Sequence, residues 1–485
     1  MPDVIVIGAG GGGPVAAKEL AAHGLDVLML EAGPHETDPE RNWSRYENDA
    51  NNPTTGYFRF GPSNRAEQPN WFRDMGQNSF LWQLAGVGGT TQHYYGNNPR
   101  ALPGVFADYD GADKDAYDVD FRFPFGYREF LPYYEWVEET LPVQTAAMGR
   151  KEKLFFEGAS RAGLPLNRYK DVTRASYRPQ ENAILQPRGT AGKTTDSSKL
   201  RYPQARGCTF CGYCFQGCIQ PKGAPRNLKA KRSTDNSYVP MCLTADAWSK
   251  GGKAVKLVPN AFVTRIITSG SGDNLRASGV QWRDTQTGER HTETAKVVVM
   301  AGGCTENPRL WLNSGLPNPN GWVGRGYTDH FFDWCVGVFD KETGNANGVG
   351  SSARVDVPGK GGLENVGLPP ALEGFAFALS DSGIRGHYTN GRGMTGPWDG
   401  RAGRPIGPEF KELMESHDRL LNVLIITDDD VERQNRVLQS AMPPDENGPI
   451  PKVVFKQRKR SKRTLANREY LNALAVKLLR AAGAK

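Results

Sequence analysis

Four of the seven cysteines occur in one short run, at Cys208, Cys211, Cys214 and Cys218. Their spacing, C-x2-C-x2-C-x3-C, matches ferredoxin-type ligation, in which thiolates project around an iron-sulfur core from a tight loop. Two features differ from that pattern. The proline that directly follows the last cysteine in ferredoxins comes later here, at Pro221, and there is no second run for a second cluster. The run predicts an iron-sulfur cluster held by three or four of these thiolates.

Zinc and disulfides are the alternatives for the same run. Four close cysteines can form a closed tetrahedral zinc site, although structural zinc sites usually divide their ligands into two separated pairs. Disulfides need an oxidising compartment, and no leader sequence for one is visible. Cys242, Cys304 and Cys335 stand alone and are interpreted as small buried residues. The residues thus favour iron-sulfur, then zinc, then disulfides or free thiols.

The glycines near the start of the chain have the spacing of a phosphate-binding loop. Gly8, Gly10 and Gly13 fit G-x-G-x-x-G, between an apolar run at 4–7 and a helical pattern at 14–23. The first glycine permits a tight turn, the second admits a pyrophosphate to the backbone, and the third lets helix and strand pack closely. The helix N-terminus adds N-H groups and the positive end of its dipole. We therefore predict a dinucleotide site.

Glu31 supports this prediction. It follows a second strand-like run at 27–30, where a carboxylate can accept a hydrogen bond from a ribose 2'-hydroxyl. Such a contact disfavours the 2'-phosphate of NADP. The loop and Glu31 together leave NAD and FAD open.

A second glycine-rich stretch, at 84–100, is interpreted as another contact to the cofactor. Gly88 and Gly89 permit close backbone approach, and Thr90 follows them with a hydroxyl group. His93 lies in the same stretch, and from the residues alone it is a surface histidine or a hydrogen-bonded core histidine. Val263, at the end of a strand-like run at 254–263, completes the predicted cofactor-binding residues.

Composition limits the functional class. A chain of 485 residues exceeds the size at which single cores usually stop growing, so two or more domains are expected. No apolar run approaches the ~20 residues that span a bilayer. The net charge is +7, much of it from the stretch at 452–463, which we interpret as a solvated face or a subunit contact. Nucleic-acid binding is not expected. Without a visible signal peptide we expect a cytoplasmic protein, or one exported folded with a signal-bearing partner to the periplasmic face.

The remaining pattern predicts an α/β protein with two domains. Further helices are expected at 124–141, 154–162, 305–314 and 463–482. The strand-glycine-helix pattern at 296–314 indicates that the nucleotide-binding domain is discontinuous. Strand-like pieces at 336–339, 374–379 and 420–426 indicate an antiparallel substrate domain. We assign 1–125 and 200–333 to a Rossmann-like nucleotide-binding domain, with the cysteine loop at 206–227. We assign 126–199 and 334–485 to the substrate domain.

Four motifs in order resemble the glucose-methanol-choline (GMC) flavoprotein oxidoreductases. They are LEAGP at 30–34, GVGGTT at 86–91, VVVMAGGCTENPRLWLNSG at 297–315 and VGRGYTDHF at 323–331. Within that family, the cysteine run and the GGTTQH sequence at 88–93 most resemble those of bacterial gluconate, fructose, sorbitol and glucose dehydrogenase flavoprotein subunits. Some of these subunits carry an iron-sulfur cluster. The resemblance implies FAD rather than NAD, hydride transfer from an alcohol to flavin N5, and onward electron transfer.

The resemblance also bears on two histidines. His93 stands at the offset from the paired glycines at which some members attach FAD covalently, so a covalent flavin is one expectation for this chain. Asp329 and His330 match a motif that lies near the flavin and is mainly structural, so His330 is not assigned as the base.

The catalytic histidine of the family is expected in a closing segment that this sequence does not show. No histidine follows His417, and ERQNRV at 432–437 resembles the stretch that precedes that segment. We therefore leave the catalytic residues unassigned. The expectation is a truncated chain, a second polypeptide that carries the segment, or an inactive relative.

The function expected from the sequence is an FAD-dependent dehydrogenase of a sugar, polyol or aldonate. Electrons would pass through the cysteine-held cluster to an acceptor such as a cytochrome subunit. The same resemblance also implies a small partner subunit. The alternatives are a sugar oxidase with structural zinc or free cysteines, and a non-catalytic electron-transfer subunit. The pocket is built from loops, so the substrate itself is not readable from the sequence.

Overall fold

The structure is a computed structural model that describes residues 1–35, 83–187, 207–218, 229–328, 330, 333–379, 407–454 and 460–485. The helices are α1 Gly13–Ala22, α2 Tyr127–Thr140, α3 Arg150–Arg161, α4 Tyr238–Leu243, α5 Ala245–Trp248, α6 Gly303–Asn313, α7 Pro370–Leu379, α8 Gly407–Glu415 and α9 Lys462–Ala481. The first strands are β1 Val4–Ile7, β2 Val27–Leu30, β3 Gln144–Thr145, β4 Ser176–Pro179, β5 Glu181–Asn182, β6 Lys256–Val258, β7 Ala261–Ser269 and β8 Arg276–Asp284. The others are β9 Arg290–Thr294, β10 Val297–Met300, β11 Asp333–Val338, β12 Ala353–Val357, β13 Gly361–Asn365, β14 Leu420–Thr427, β15 Arg436–Gln439 and β16 Pro451–Val454.

A four-stranded parallel sheet in the order β10-β1-β2-β6 holds the N-terminal glycine loop. Val4 pairs with Val27 on one side and with Val297 on the other. All residues of β1 and β2 are buried because apolar clusters cover both faces of the sheet, as continuous apolar runs predict. The carboxyl ends of β1, β2 and β10 therefore bring Gly8, Glu31 and Ala301 to one edge.

A five-stranded antiparallel sheet in the order β11-β14-β13-β12-β4 forms the second large layer. One face packs against α3 and α9 in an apolar cluster that includes Phe155, Val355, Val423 and Leu471. Side chains alternate along a strand, so the intervening residues point to the opposite face. The fold class predicted from the sequence, a Rossmann-like unit with an antiparallel sheet, is confirmed. The domain boundaries stay a prediction.

The opposite face of this sheet is polar and buried. Arg178 Nε donates to Asp356 Oδ2 over 2.7 Å, and Arg354 lies 3.1 Å from Glu364. Glu364 Oε2 also accepts from Asn97 Nδ2 over 2.9 Å. Since Asn97 lies in the second glycine-rich stretch, this contact joins the antiparallel sheet to the loop predicted to contact the cofactor.

The strand predicted at 254–263 is divided between β6 and β7, and two further predicted elements differ from the structure. Residues 374–379, expected as strand-like, lie in α7, because Pro370 begins a run of good helix formers that precedes them. Helix α3 begins four residues before its predicted start. There the Glu152 carboxylate accepts from the N-H of Gly149 over 2.7 Å and caps the first turn.

The basic stretch at 452–463 is not simply a solvated face. Arg460 is buried and forms ion pairs with Asp429 and Glu432, while Arg463 lies 3.2 Å from Asp428. These contacts anchor the start of α9. Residues 455–459 of the stretch lie outside the described residues.

Candidate flavin and cysteine sites

The glycine loop between β1 and α1 is shaped by backbone packing. A Cβ atom at Gly13 would lie 1.9 Å from the carbonyl oxygen of Gly8. Gly8 has φ +101°, and a Cβ atom there would lie 2.5 Å from the carbonyl oxygen of Ala301. The first and third glycines of the motif are therefore required by helix and strand packing, as the spacing predicts.

The middle of the same loop is open. A Cβ atom at Gly10 would have Gly89 Cα as its nearest neighbour, at 3.8 Å, and one at Gly12 would meet nothing within 4 Å. Gly12 caps the ten-residue helix α1, whose first N-H groups point toward this space. An open backbone cradle at a helix N-terminus fits the pyrophosphate of a dinucleotide.

Glu31 lies beneath the glycine loop. Its carboxylate accepts from the N-H of Ala9 over 2.7 Å and from the N-H of Gly33 over 2.9 Å. Burial raises the pKa of Glu31 to about 7, against the lowering effect of these hydrogen bonds. Glu31 therefore holds the loop in shape. Its predicted contact with a ribose hydroxyl remains a prediction.

The second glycine-rich stretch packs directly on the first. A Cβ atom at Gly89 would lie 2.7 Å from Gly10 Cα, and the N-H of Gly88 donates to the carbonyl of Ala9 over 2.8 Å. Thr90 Oγ1 accepts from the N-H of Leu84 over 3.3 Å. We refer to residues 88–96 as the flavin loop. Contact between the two glycine-rich segments supports their prediction as parts of one site.

Thr234 was missed by the sequence interpretation. Its hydroxyl donates to the carbonyl of Gly10 over 3.0 Å and lies 3.1 Å from Thr91 Oγ1, so it ties both glycine-rich segments together. The only signal in the sequence is a polar run, KAKRSTDNS at 229–237, whose members are mostly buried. Polar residues are mostly exposed in folded proteins, so the composition of this run gives no sign of its burial.

His93 turns toward the cysteines. It is 3% exposed, and its Nδ1 lies 3.0 Å from the carbonyl oxygen of Phe215. The imidazole is thus a buried, hydrogen-bonded group, and a covalent bond to flavin stays a prediction. Val263 packs in the core beneath the parallel sheet, where its carbonyl accepts from Arg309 over 3.1 Å.

The four clustered cysteines line one cavity, together with Ile184, Lys231 and Gly348. Cys214 and Cys218 are buried, and Cys208 and Cys211 are partly exposed. The loop at 207–218 curls tightly, with left-handed backbone at Phe210, Gly212, Gly217 and Cys218. We refer to residues 207–218 as the cysteine loop. The convergence of the thiols is what the C-x2-C-x2-C-x3-C spacing predicts.

The electrostatics of the cavity disfavour four bare thiolates. Burial, with the neighbouring thiols, raises the pKa of Cys208 to about 11 and that of Cys214 to about 12. All seven cysteines are free, so no disulfide forms in the run. Burial thus favours the neutral thiol form of Cys208 and Cys214, whereas a bound cation would favour their thiolates.

The side chains as they stand do not form a metal site. Within the part of the chain that the structure describes, no three His, Cys, Asp or Glu side chains are arranged to hold a metal ion. The cavity therefore shows the donors and their convergence, and the identity of a bound group belongs to the proposal below.

Residues 177–332 match the GMC oxidoreductase family model, and residues 3–38 match an FAD-binding domain model. These two segments of the chain are thus similar to GMC oxidoreductases and to FAD-binding domains. The motif resemblance given above is thereby confirmed, and FAD is the cofactor that fits the glycine cradle. Asp329 of the fourth motif lies outside the described residues, and His330 is exposed.

Curated relatives of this chain include dehydrogenases and oxidases. It is 26% identical to the gluconate 2-dehydrogenase flavoprotein of Pantoea cypripedii, over 70% of this chain and 58% of the relative. It is 36% identical to paromamine 6'-oxidase of Streptomyces fradiae, over 29% of this chain and 23% of the relative. The chain therefore spans less than two thirds of the length of these relatives.

Solved structures confirm the fold. Pyridoxine 4-oxidase from Mesorbium loti superposes with a TM-score of 0.56 at 14% identity, over 98% of this chain and 80% of that one. In the described ranges, no helix combines the length and apolar content that crossing a bilayer requires.

Proposed function

We propose that this chain is a GMC oxidoreductase that oxidises an alcohol group of a sugar, polyol or aldonate with FAD as the hydride acceptor. The family match, the glycine cradle and the dehydrogenase relatives support the proposal. Gly10 to Gly12 and the N-terminus of α1 would hold the pyrophosphate, while the flavin loop would make the second contact. When bound, FAD would accept the hydride that leaves the carbon of the substrate alcohol.

We propose further that the cysteine loop holds an iron-sulfur cluster, which would carry electrons singly to a partner such as a cytochrome subunit. One observation carries this step: the cysteine loop is in direct contact with the flavin loop. His93 Nδ1 meets the Phe215 carbonyl at 3.0 Å, and the Tyr95 and Phe215 rings stack with their centroids 5.2 Å apart. A redox centre in the cavity would thus lie beside the proposed flavin site.

The absorption spectrum of the purified chain, prepared without oxygen, tests both steps when iron, sulfide and zinc are counted in the same sample. The proposal expects flavin bands on a broad iron-sulfur shoulder, with iron and sulfide present. Flavin bands with zinc, or with no metal, would refute the cluster and leave the flavin enzyme standing. Absence of flavin after reconstitution with FAD would refute the proposal as a whole.

An oxidase with structural zinc or free thiols is the second candidate. Two observations favour the form with free thiols: the cysteine side chains are not arranged as a metal site within the described residues, and several relatives are named as oxidases. Reoxidation of substrate-reduced flavin discriminates the two candidates. Rapid reoxidation by oxygen supports the oxidase, whereas slow reaction with oxygen and rapid reaction with a one-electron acceptor support the dehydrogenase.

A further inference from the structure

Lys231 occupies the junction between the flavin loop and the cysteine loop. Its side chain is fully buried, and its ammonium group donates to three backbone carbonyls. Two of these belong to the flavin loop: Gln92 at 2.7 Å and Tyr94 at 2.6 Å. The third belongs to Cys214 of the cysteine loop, at 2.6 Å. An ammonium group has three protons, so these acceptors match its full donor capacity.

The chain around Lys231 continues the same connection. Lys231 lines the cysteine cavity, and Thr234, three residues later, donates to the carbonyl of Gly10 in the glycine loop. The segment 231–234 therefore runs from the cavity to the proposed pyrophosphate cradle. A buried charge is costly to desolvate unless its hydrogen bonds are satisfied, which gives the three-carbonyl arrangement a strong preference for one geometry.

We propose that Lys231 is a positioning residue that couples the flavin loop to the cysteine loop. Because one ammonium nitrogen holds carbonyls from both loops, movement of either loop displaces or unpairs the donor that the other loop shares. The state of the cysteine cavity and the environment of the flavin are then linked. This inference rests on the proposed FAD site and holds whether the thiols are free or bound to metal.

The test replaces Lys231 with methionine, which has a similar length and neither charge nor N-H groups. Two properties of the FAD-loaded chain are measured: the alkylation rates of Cys214 and Cys218 by iodoacetamide, resolved by mass spectrometry, and the visible circular dichroism of the flavin. Iodoacetamide reacts only with an accessible thiolate, so the alkylation rate of a buried cysteine reports opening of the cysteine loop.

In Lys231→Met, alkylation of both buried cysteines is expected to accelerate about tenfold or more, since three hydrogen bonds to a charged donor are lost. The flavin dichroism is expected to change in the same variant, because Gln92 and Tyr94 lose their donor. Lys231→Arg keeps the charge but has a planar fork, which cannot place one nitrogen against all three carbonyls. The alkylation rates and flavin dichroism of Lys231→Arg are expected to lie between those of the wild type and Lys231→Met. Lys231→Arg replaces Lys231→Met in the test if the methionine variant does not fold.

Lys151→Met is the matched control. Lys151 is also fully buried, and its ammonium donates to the carbonyl of Asn347, next to Gly348 of the cavity lining. Its hydrogen bond goes to neither loop. Alkylation is expected to accelerate here as well, but the flavin dichroism should remain that of the wild type.

Two results at Lys231 would overturn the inference: alkylation at the wild-type rate, or faster alkylation with unchanged flavin dichroism. The second would reduce Lys231 to a support of the cysteine loop alone. A wild-type chain that binds no flavin would overturn the proposed function and this inference together. If the wild type binds flavin and the Lys231 variants keep its alkylation rate and flavin dichroism, only the inference about Lys231 is overturned.

Discussion

Gly10 and Gly13 belong to one motif, yet the structure assigns them different physical roles, so alanine at each should fail in a different way. At Gly13 an added Cβ would lie 1.9 Å from the carbonyl oxygen of Gly8. At Gly10 the nearest atom, Gly89 Cα, would be 3.8 Å away, an ordinary contact distance. Gly13→Ala should therefore damage the fold, while Gly10→Ala should damage only the binding of FAD.

The stability lost in Gly13→Ala depends on the atom that the new Cβ would meet, which is the carbonyl oxygen of Gly8. A backbone carbonyl cannot rotate away as a side chain does, so β1 and α1 must separate, at an overpacking cost of about 1–3 kcal/mol or more. We expect a loss of about 2 kcal/mol in the free energy of unfolding. Gly12→Ala, with nothing within 4 Å of the new atom, is the control; it should change stability by less than about 0.5 kcal/mol.

Denaturant unfolding of the flavin-free chain measures the stability, and flavin retained per chain after gel filtration measures binding. The expected result is a destabilised Gly13→Ala variant and a Gly10→Ala variant of wild-type stability with little flavin. Equal stability of Gly13→Ala and Gly12→Ala would refute the packing argument. Normal flavin retention in Gly10→Ala would refute the placement of the pyrophosphate.

Three further variants test the cavity, the polar sheet face and a buried carboxyl. If the proposed cluster is present, Cys214→Ser should lose its iron, while Cys304→Ser, at an exposed cysteine, should keep it; equal iron content would remove Cys214 from the proposed site. Asp356→Asn should lower the free energy of unfolding by about 1.5–3 kcal/mol, because Arg178 and Arg354 lose a charged hydrogen-bond acceptor while Glu181 and Glu364 stay as their partners, and a loss below about 1 kcal/mol by denaturant unfolding would contradict this. Burial raises the pKa of Glu373 to about 7, although Asn422 and Asn345 donate to it. A folded pKa above the unfolded value stabilises the fold at low pH, and this contribution is lost as the pH rises from 4.5 to about 7. Glu373→Gln should flatten the pH dependence of unfolding there by up to about 3 kcal/mol, and an unaltered slope would exclude Glu373 as its source.

Local patterns determined much of the nucleotide-binding unit. The apolar runs of β1 and β2, the glycine spacing and the start of α1 are all readable, because each depends on neighbours within a few residues. The convergence of the cysteines is readable for the same reason, since their spacing alone lets one tight loop turn the thiols inward. The strand prediction for residues 374–379 was wrong because a short apolar run suits a strand as well as a helix. The preceding Pro370 favours the helix.

Only the tertiary structure decided how the sites are joined. Lys231 and Thr234 read as ordinary polar residues, and their burial depends on carbonyls that the chain supplies far away, at Gly10, Gln92 and Tyr94. Arg178 and Asp356 form a buried pair only because β4 and β12 are adjacent strands. Sequence determines which groups a segment offers, since that is a local property. Which of them lose water and find partners is decided by segments that meet only when the whole chain has folded.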